Sequence, residues 1–86
     1  MTADKIKQII QFMDLLLEDT SVPKNIRKAI AEAKSKLLTN DEFVVRASSA
    51  IYSLNEVSED INMPMHARTQ IWSIVSMLET IRSEEQ

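Results

Sequence analysis

His66 is the single histidine of the chain, and no cysteine occurs. These two facts set what chemistry the side chains can support. A di-metal carboxylate site in a helical bundle takes two Glu-x-x-His motifs and two more inward-facing Glu, yet three residues before His66 stands Met63. Zinc calls for several His or Cys ligands beside any carboxylate. No metal and no cofactor is therefore expected. A serine nucleophile would need His66 as its base. Ser73 lies seven residues further on, about 10 Å along a helix rising ~1.5 Å per residue. That is beyond a direct hydrogen bond. Ser48, Ser49, Ser53, Ser73 and Ser76 read instead as small residues that let helices approach closely. Glycine is absent, which removes the phosphate-cradling loops of dinucleotide and P-loop type. No catalytic residue is assigned, and the chain reads as a non-enzyme.

The polar residues that do cluster flank two prolines. Asp19, Asn25 and Arg27 surround Pro23, and Asp60, Asn62, His66 and Arg68 surround Pro64. Two guanidinium forks at one end of a bundle could clamp a carboxylate or phosphate, helped by helix N-termini at the prolines. The plainer expectation is that Arg27 and Arg68 form salt bridges with Asp19 or Asp60 and so lock the turns.

Two other surfaces could meet partners. Residues 23–39 hold Lys24, Arg27, Lys28, Lys34 and Lys36 against Glu32, a balance of +4 that leaves −7 on the rest of a chain of net charge −3. On a helical wheel Lys24, Arg27, Lys28 and Lys34 share one outer sector around Ala31. Such a face could meet RNA phosphates or an acidic protein. No aromatic interleaves with it to stack a base, so nucleic acid is the lesser expectation. The second surface is apolar. Phe12, Leu15, Val45, Tyr52 and Trp72 fall off the centres of their hydrophobic stripes, and contiguous exposed apolar residues mark partner sites.

The stripes themselves define four helices. Ile6, Ile9, Ile10, Met13, Leu16 and Leu17 recur at helical spacing over residues 3–18. Ile26, Ala29, Ile30, Ala33 and Leu37 do so over 23–39, with Pro23 placed at the helix start. Thr39-Asn40-Asp41-Glu42 offers a capping box for a third helix carrying Phe43, Ala47, Ala50, Ile51, Leu54 and Val57. A fourth runs from Pro64 to Ser83 on Ile71, Ile74, Val75, Leu78 and Ile81. The connections are short, so neighbours should be antiparallel. The fold class is all-α, a four-helix up-and-down bundle over residues 1–86, with hairpins at 3–39 and 41–83.

The hairpins repeat each other. At an offset of 41 the pattern Asp-x-polar-apolar-Pro-x-x-x-Arg-x-x-Ile occurs from Asp19 and again from Asp60. Upstream, Ile10/Ile51, Met13/Leu54 and Glu18/Glu59 also correspond. The period resembles that of HEAT-type repeats, but a solenoid needs ~3 or more units. A closed bundle of two duplicated hairpins is the expectation.

Val22-Pro23-Lys24-Asn25-Ile26-Arg27 and Asn62-Met63-Pro64-Met65-His66-Ala67-Arg68-Thr69-Gln70-Ile71-Trp72 together resemble the uncharacterised archaeal UPF family 0147. The resemblance covers nearly the whole chain. It implies a four-helix up-and-down bundle and an archaeal, cytoplasmic protein, and it implies no activity. One departure is visible: Asp-Pro-Asn is expected before the second box, where this chain has Asp60-Ile61-Asn62.

Composition narrows the rest. The longest aliphatic run is Leu15-Leu16-Leu17, too short to span a membrane. The first residues lack the basic-then-apolar layout of a signal peptide, so the expected address is the cytoplasm. With 44% hydrophobic residues the chain can build a core, although a domain this small buries only ~60–65% of its unfolded surface. The best reading is a protein-interaction module, a homodimer or a subunit of a larger assembly. The alternatives are an RNA- or ribosome-associated accessory protein using the basic second helix, and a small-anion binder using Arg27 and Arg68.

Overall fold

The computed structural model describes residues 2–85. Its helices are α1 (Thr2–Leu17), α2 (Lys24–Leu37), α3 (Phe43–Val57) and α4 (Met65–Glu85), with no strand among the described residues. Each helix packs on two neighbours. α2 lies against α1 and α3, and α4 against α3 and α1, with the diagonal pairs set further apart. This closes a four-helix up-and-down bundle of 35 × 20 × 19 Å. The α1–α2 and α3–α4 turns lie at one end of it.

The apolar stripes meet in one core. Ile9, Met13, Leu16, Ile26, Ile30, Leu37, Leu54, Ile71, Ile74 and Leu78 are fully buried. Two residues outside the helices join them. Val22 and Met63 each precede a proline and each turn inward, so the turns are pinned to the core they connect. Positions 41 apart share this burial: Met13 with Leu54, Val22 with Met63, Ile26 with Ala67, Ile30 with Ile71, Leu37 with Leu78.

The helix ends differ in detail from the sequence expectation. Pro23 is the N-cap of α2 rather than its first helical residue, with φ −56° and ψ 152°. Its carbonyl accepts from the Ile26 and Arg27 amides, so its missing N–H costs nothing. The capping box before α3 does not form. Glu42 is the N-cap and no side chain closes the helix start, while Thr39 Oγ1 turns back to donate to the Lys36 carbonyl at 3.1 Å. No described residue has positive φ, so every turn closes on backbone that non-glycine residues adopt freely.

Polar contacts stitch the helix seams. Lys34 Nζ is 2.7 Å from Asp14 Oδ1 across α1 and α2. Lys36 Nζ donates to the buried Ser53 Oγ at 2.7 Å across α2 and α3. Arg46 Nη1 donates to the Leu37 carbonyl at 2.9 Å, and its guanidinium stands 5.4 Å from the centre of the Phe43 ring. Lys5 Nζ lies 3.3 Å from Glu84 Oε1, joining the start of α1 to the end of α4.

Candidate functional site

The two proline turns are built alike. Asp19 Oδ1 accepts the Ser21 amide at 2.9 Å and the Ser21 hydroxyl at 2.6 Å. Asp60 Oδ1 accepts the Asn62 amide at 2.8 Å. In both, the aspartate carbonyl takes the amide three residues on, from Val22 or Met63. Aspartate closing a bond to its own backbone two residues on is an Asx turn.

The second carboxylate oxygens cross between the turns. Asn25 Nδ2 donates to Asp60 Oδ2 at 2.9 Å. His66 Nε2 sits 2.8 Å from Asp19 Oδ2. A carboxylate only accepts, so Nε2 carries the proton. Asp19 and Asp60 are 41 residues apart, and so are Asn25 and His66. Each turn therefore holds the first helical turn of the opposite hairpin. The Ser21 hydroxyl, then His66, then the Ser21 amide pull the Asp19 carboxyl down from 3.8 to about 2. The Asn62 amide and the Asn25 side chain lower Asp60 in the same sense.

The arginines do something else. Arg27 Nε donates to the Val22 carbonyl at 3.0 Å, and Arg68 Nη2 donates to the Asp60 carbonyl at 2.9 Å. The expected Arg–Asp salt bridges are absent among the described residues. The physical reason is local competition. The aspartate carboxylate oxygens are already taken by amides, a hydroxyl and the crossing side chains, while the Val22 carbonyl and the second lone pair of the Asp60 carbonyl accept from the guanidinium groups. Both arginines are half-buried and lock the turns through the main chain.

This cluster has no nucleophile. Ser21 Oγ lies 3.4 Å from His66 Nε2, a contact between hairpins that spacing along α4 does not reveal. The hydroxyl already donates to Asp19. Serine and aspartate both address the same ring nitrogen, whereas a proton relay needs one on each. The arrangement is a fastening, and Asn62 enters it through its amide alone.

The basic sector divides. Lys24, Lys28 and Ala31 face solvent, but Lys34 leans to Asp14 and Arg27 to its carbonyl. Only the first turns of α2 keep free lysines outward. The off-stripe apolar residues are all exposed: Phe12 39%, Leu15 62%, Val45 50%, Tyr52 66% and Trp72 57%. They do not gather in one place. Phe12 and Leu15 share a shallow groove with Thr69, Gln70 and Ser73 between α1 and α4. Trp72 and Met65 are exposed further round α4, outside this groove. Val45 and Tyr52 lie on α3, seven residues apart.

Comparison with known proteins places this architecture. The family model for an uncharacterised protein family, UPF0147, matches residues 1–81. The chain belongs to UPF0147. A UPF0147 protein of Archaeoglobus fulgidus is 40% identical over 98% of this chain and 97% of its own length. One from Methanocaldococcus jannaschii is 47% identical over 90% of this chain and 84% of its own. Among solved structures, a crystal structure of the unknown-function protein MMP1188 is 52% identical, with a TM-score of 0.88 over 91% of this chain and 90% of that one. A UPF0147 protein from Thermoplasma acidophilum is 33% identical, with a TM-score of 0.85 over 91% and 93%.

The UPF0147 relatives thus share the fold and carry no assigned function. The departure from the expected UPF0147 pattern at residue 61 has a simple structural account. Ile61 is 91% exposed, and the Asx turn closes through Asp60 and Asn62 on either side of it. No helix is long and apolar enough to cross a membrane among the described residues.

Proposed function

We propose that the protein is a non-enzymatic interaction module whose working surface is the outer face of α1 and α4. The observation that carries this reading is the groove of exposed Phe12 and Leu15 against Thr69 and Ser73. Its middle holds no charged side chain. Interface centres are depleted in charge and enriched in aromatic residues and Met. The polar turns support the role less, because Asp19, Asp60, Asn25 and His66 bond one another. Anion binding by Arg27 and Arg68 has less support, because each guanidinium already donates to a turn carbonyl.

RNA association through α2 is the second reading, and exposed Lys24 and Lys28 favour it. Affinity capture of the full chain from an archaeal lysate, with and without nuclease, separates the two. A partner retained after nuclease and lost with Leu15→Glu is the expected result. Capture abolished by nuclease and unaffected by Leu15→Glu would replace the interaction module with the RNA reading.

A further inference from the structure

We infer that the α2–α3 connection is a hinge. By straightening into helix it converts the closed bundle into an exchanged dimer, in which each hairpin packs on the opposite hairpin of a second copy of this chain.

The observation that carries this is a shared register. The core positions of α2 are Ile26, Ile30, Ala33 and Leu37, and those of α3 include Ala47, Ile51 and Leu54. Steps of four and three residues in strict alternation from Ile26 pass through all of them. The two steps that cross the connection fall on Asn40 and Val44. This is the heptad spacing of one continuous supercoiled helix. A closed bundle does not require it, because a turn between two helices resets the phase of the stripe.

The connection itself can become helix. Leu38 to Glu42 holds no proline or glycine, and α3 begins without a side-chain cap. Thr39 Oγ1 and Arg46 Nη1 hold the closed turn by donating to the Lys36 and Leu37 carbonyls. In a continuous helix those two carbonyls accept the Asn40 and Asp41 amides instead.

The geometry of the exchange closes. In the bundle Lys36 of α2 meets Ser53 of α3. Two straightened helices, antiparallel about a two-fold axis near Val44, set Lys36 of each copy against Ser53 of the other. The Asn25–Asp60 and His66–Asp19 bonds are exchanged in the same way. α1 and α4 of one copy then lie on the same side of its long helix and must fit end to end. Lys34 meets Asp14, so α1 starts near the level of Arg46. Arg82 meets Ser48, so α4 ends near the level of Val45. The two helices meet without running past each other. Contacts between α1 and α4 are kept, so the exchange neither needs nor alters the groove of Phe12 and Leu15.

Concentration decides between the forms. Hairpins joined by a short connection see each other at an effective concentration on the order of millimolar, so dilute protein stays closed. Asn40 adds to that bias, because it is the one polar side chain on the stripe of the straight helix.

The test is to refold the full chain from denaturant at about 1 mM and at about 1 μM, and to measure the dimer by sedimentation. Wild type should form dimer only in the concentrated sample. Asn40→Leu should raise the yield several-fold. Glu42→Pro should abolish it: the φ of −57° at Glu42 is the angle proline fixes, so the closed turn accepts proline and the straight helix does not. Asn40→Gly, which weakens the helix without proline, should lower the yield several-fold, and thermal melts of each variant report folding. Lys36→Cys and Ser53→Cys chains refolded together should be joined by a short bismaleimide, whereas the same chains folded apart and then mixed should not. Monomer alone from both wild type and Asn40→Leu overturns the exchange. So does a dimer undiminished in both Glu42→Pro and Asn40→Gly, or a dimer whose two cysteine chains are not joined.

Discussion

Asn25 Nδ2 donates to Asp60 Oδ2 at 2.9 Å, tying the first turn of α2 to the loop that enters α4. Forty-one residues on, His66 meets Asp19 in the same way at 2.8 Å. Each aspartate divides its oxygens, one for its own turn and one for the other hairpin. The bundle is thus fastened at this end by two crossed bonds between segments that the chain joins only through the α2–α3 connection.

Because the bonds cross, removing one side should expose the coupling. Asn25→Ala and Asp60→Ala should each lower the melting temperature. The double variant should lose less than the two losses combined, because both remove the same bond. A double-mutant cycle by thermal denaturation measures this, and strict additivity would show that the bond contributes nothing.

Acid should loosen this end first. The Asp19 carboxyl titrates at about 2 in the folded chain against 3.8 ordinarily. The unfolded chain therefore takes up the proton first as pH falls. The stability that Asp19 contributes is complete above about pH 4 and is lost between there and about pH 2. Denaturation midpoints followed over that window should fall for wild type. The Asp19→Asn variant should start lower and fall less steeply.

Core and surface truncations should separate cleanly. Ile30 and Leu54 are fully buried, and cutting either to alanine should cost about 2–5 kcal/mol. Val45 is half exposed and lies outside the core cluster, so Val45→Ala should stay within about 0.5 kcal/mol. Chemical denaturation read by helical circular dichroism checks all three.

Ser53 is a buried hydroxyl that holds the Lys36 ammonium. Ser53→Ala should destabilise by about 1 kcal/mol, the net worth of a hydrogen bond. Adding Lys36→Met should recover part of that, since no ammonium is then left seeking an acceptor. Equal loss in both variants would mean that water already serves Lys36 as well as Ser53 does.

Helix placement was open to reading because periodicity is written into Ile6 to Leu17, Ile26 to Leu37, Phe43 to Val57 and Ile71 to Ile81. The common end of the two polar turns followed from that topology. The partners within the turns did not follow. Charge suggested that Arg27 and Arg68 would seek Asp19 and Asp60, but an aspartate two residues before a free amide is captured locally at 2.8–2.9 Å. The long guanidinium groups then take the carbonyls. The sequence does carry one signal for them: Asn25 and His66 correspond at the offset of 41 that aligns Asp19 with Asp60. The capping box before α3 misled because Thr39 is close enough to bond back to Lys36. A wheel of α2 alone puts Lys34 in the outer basic sector, because it cannot show Asp14 on the neighbouring helix.

The ion pair of Lys5 with Glu84 bears on how much the order of the hairpins matters. It brings residue 5 of α1 and residue 84 of α4 within the combined reach of their two side chains, at the end away from the crossed turns. A tether of about 2–8 residues, ordinary between helices in a bundle, could join them. New termini could then open in the exposed stretch of Thr39 to Glu42. Such a circular permutant keeps every helix beside the same two neighbours and leaves both proline turns covalently intact. The second hairpin would simply be translated before the first.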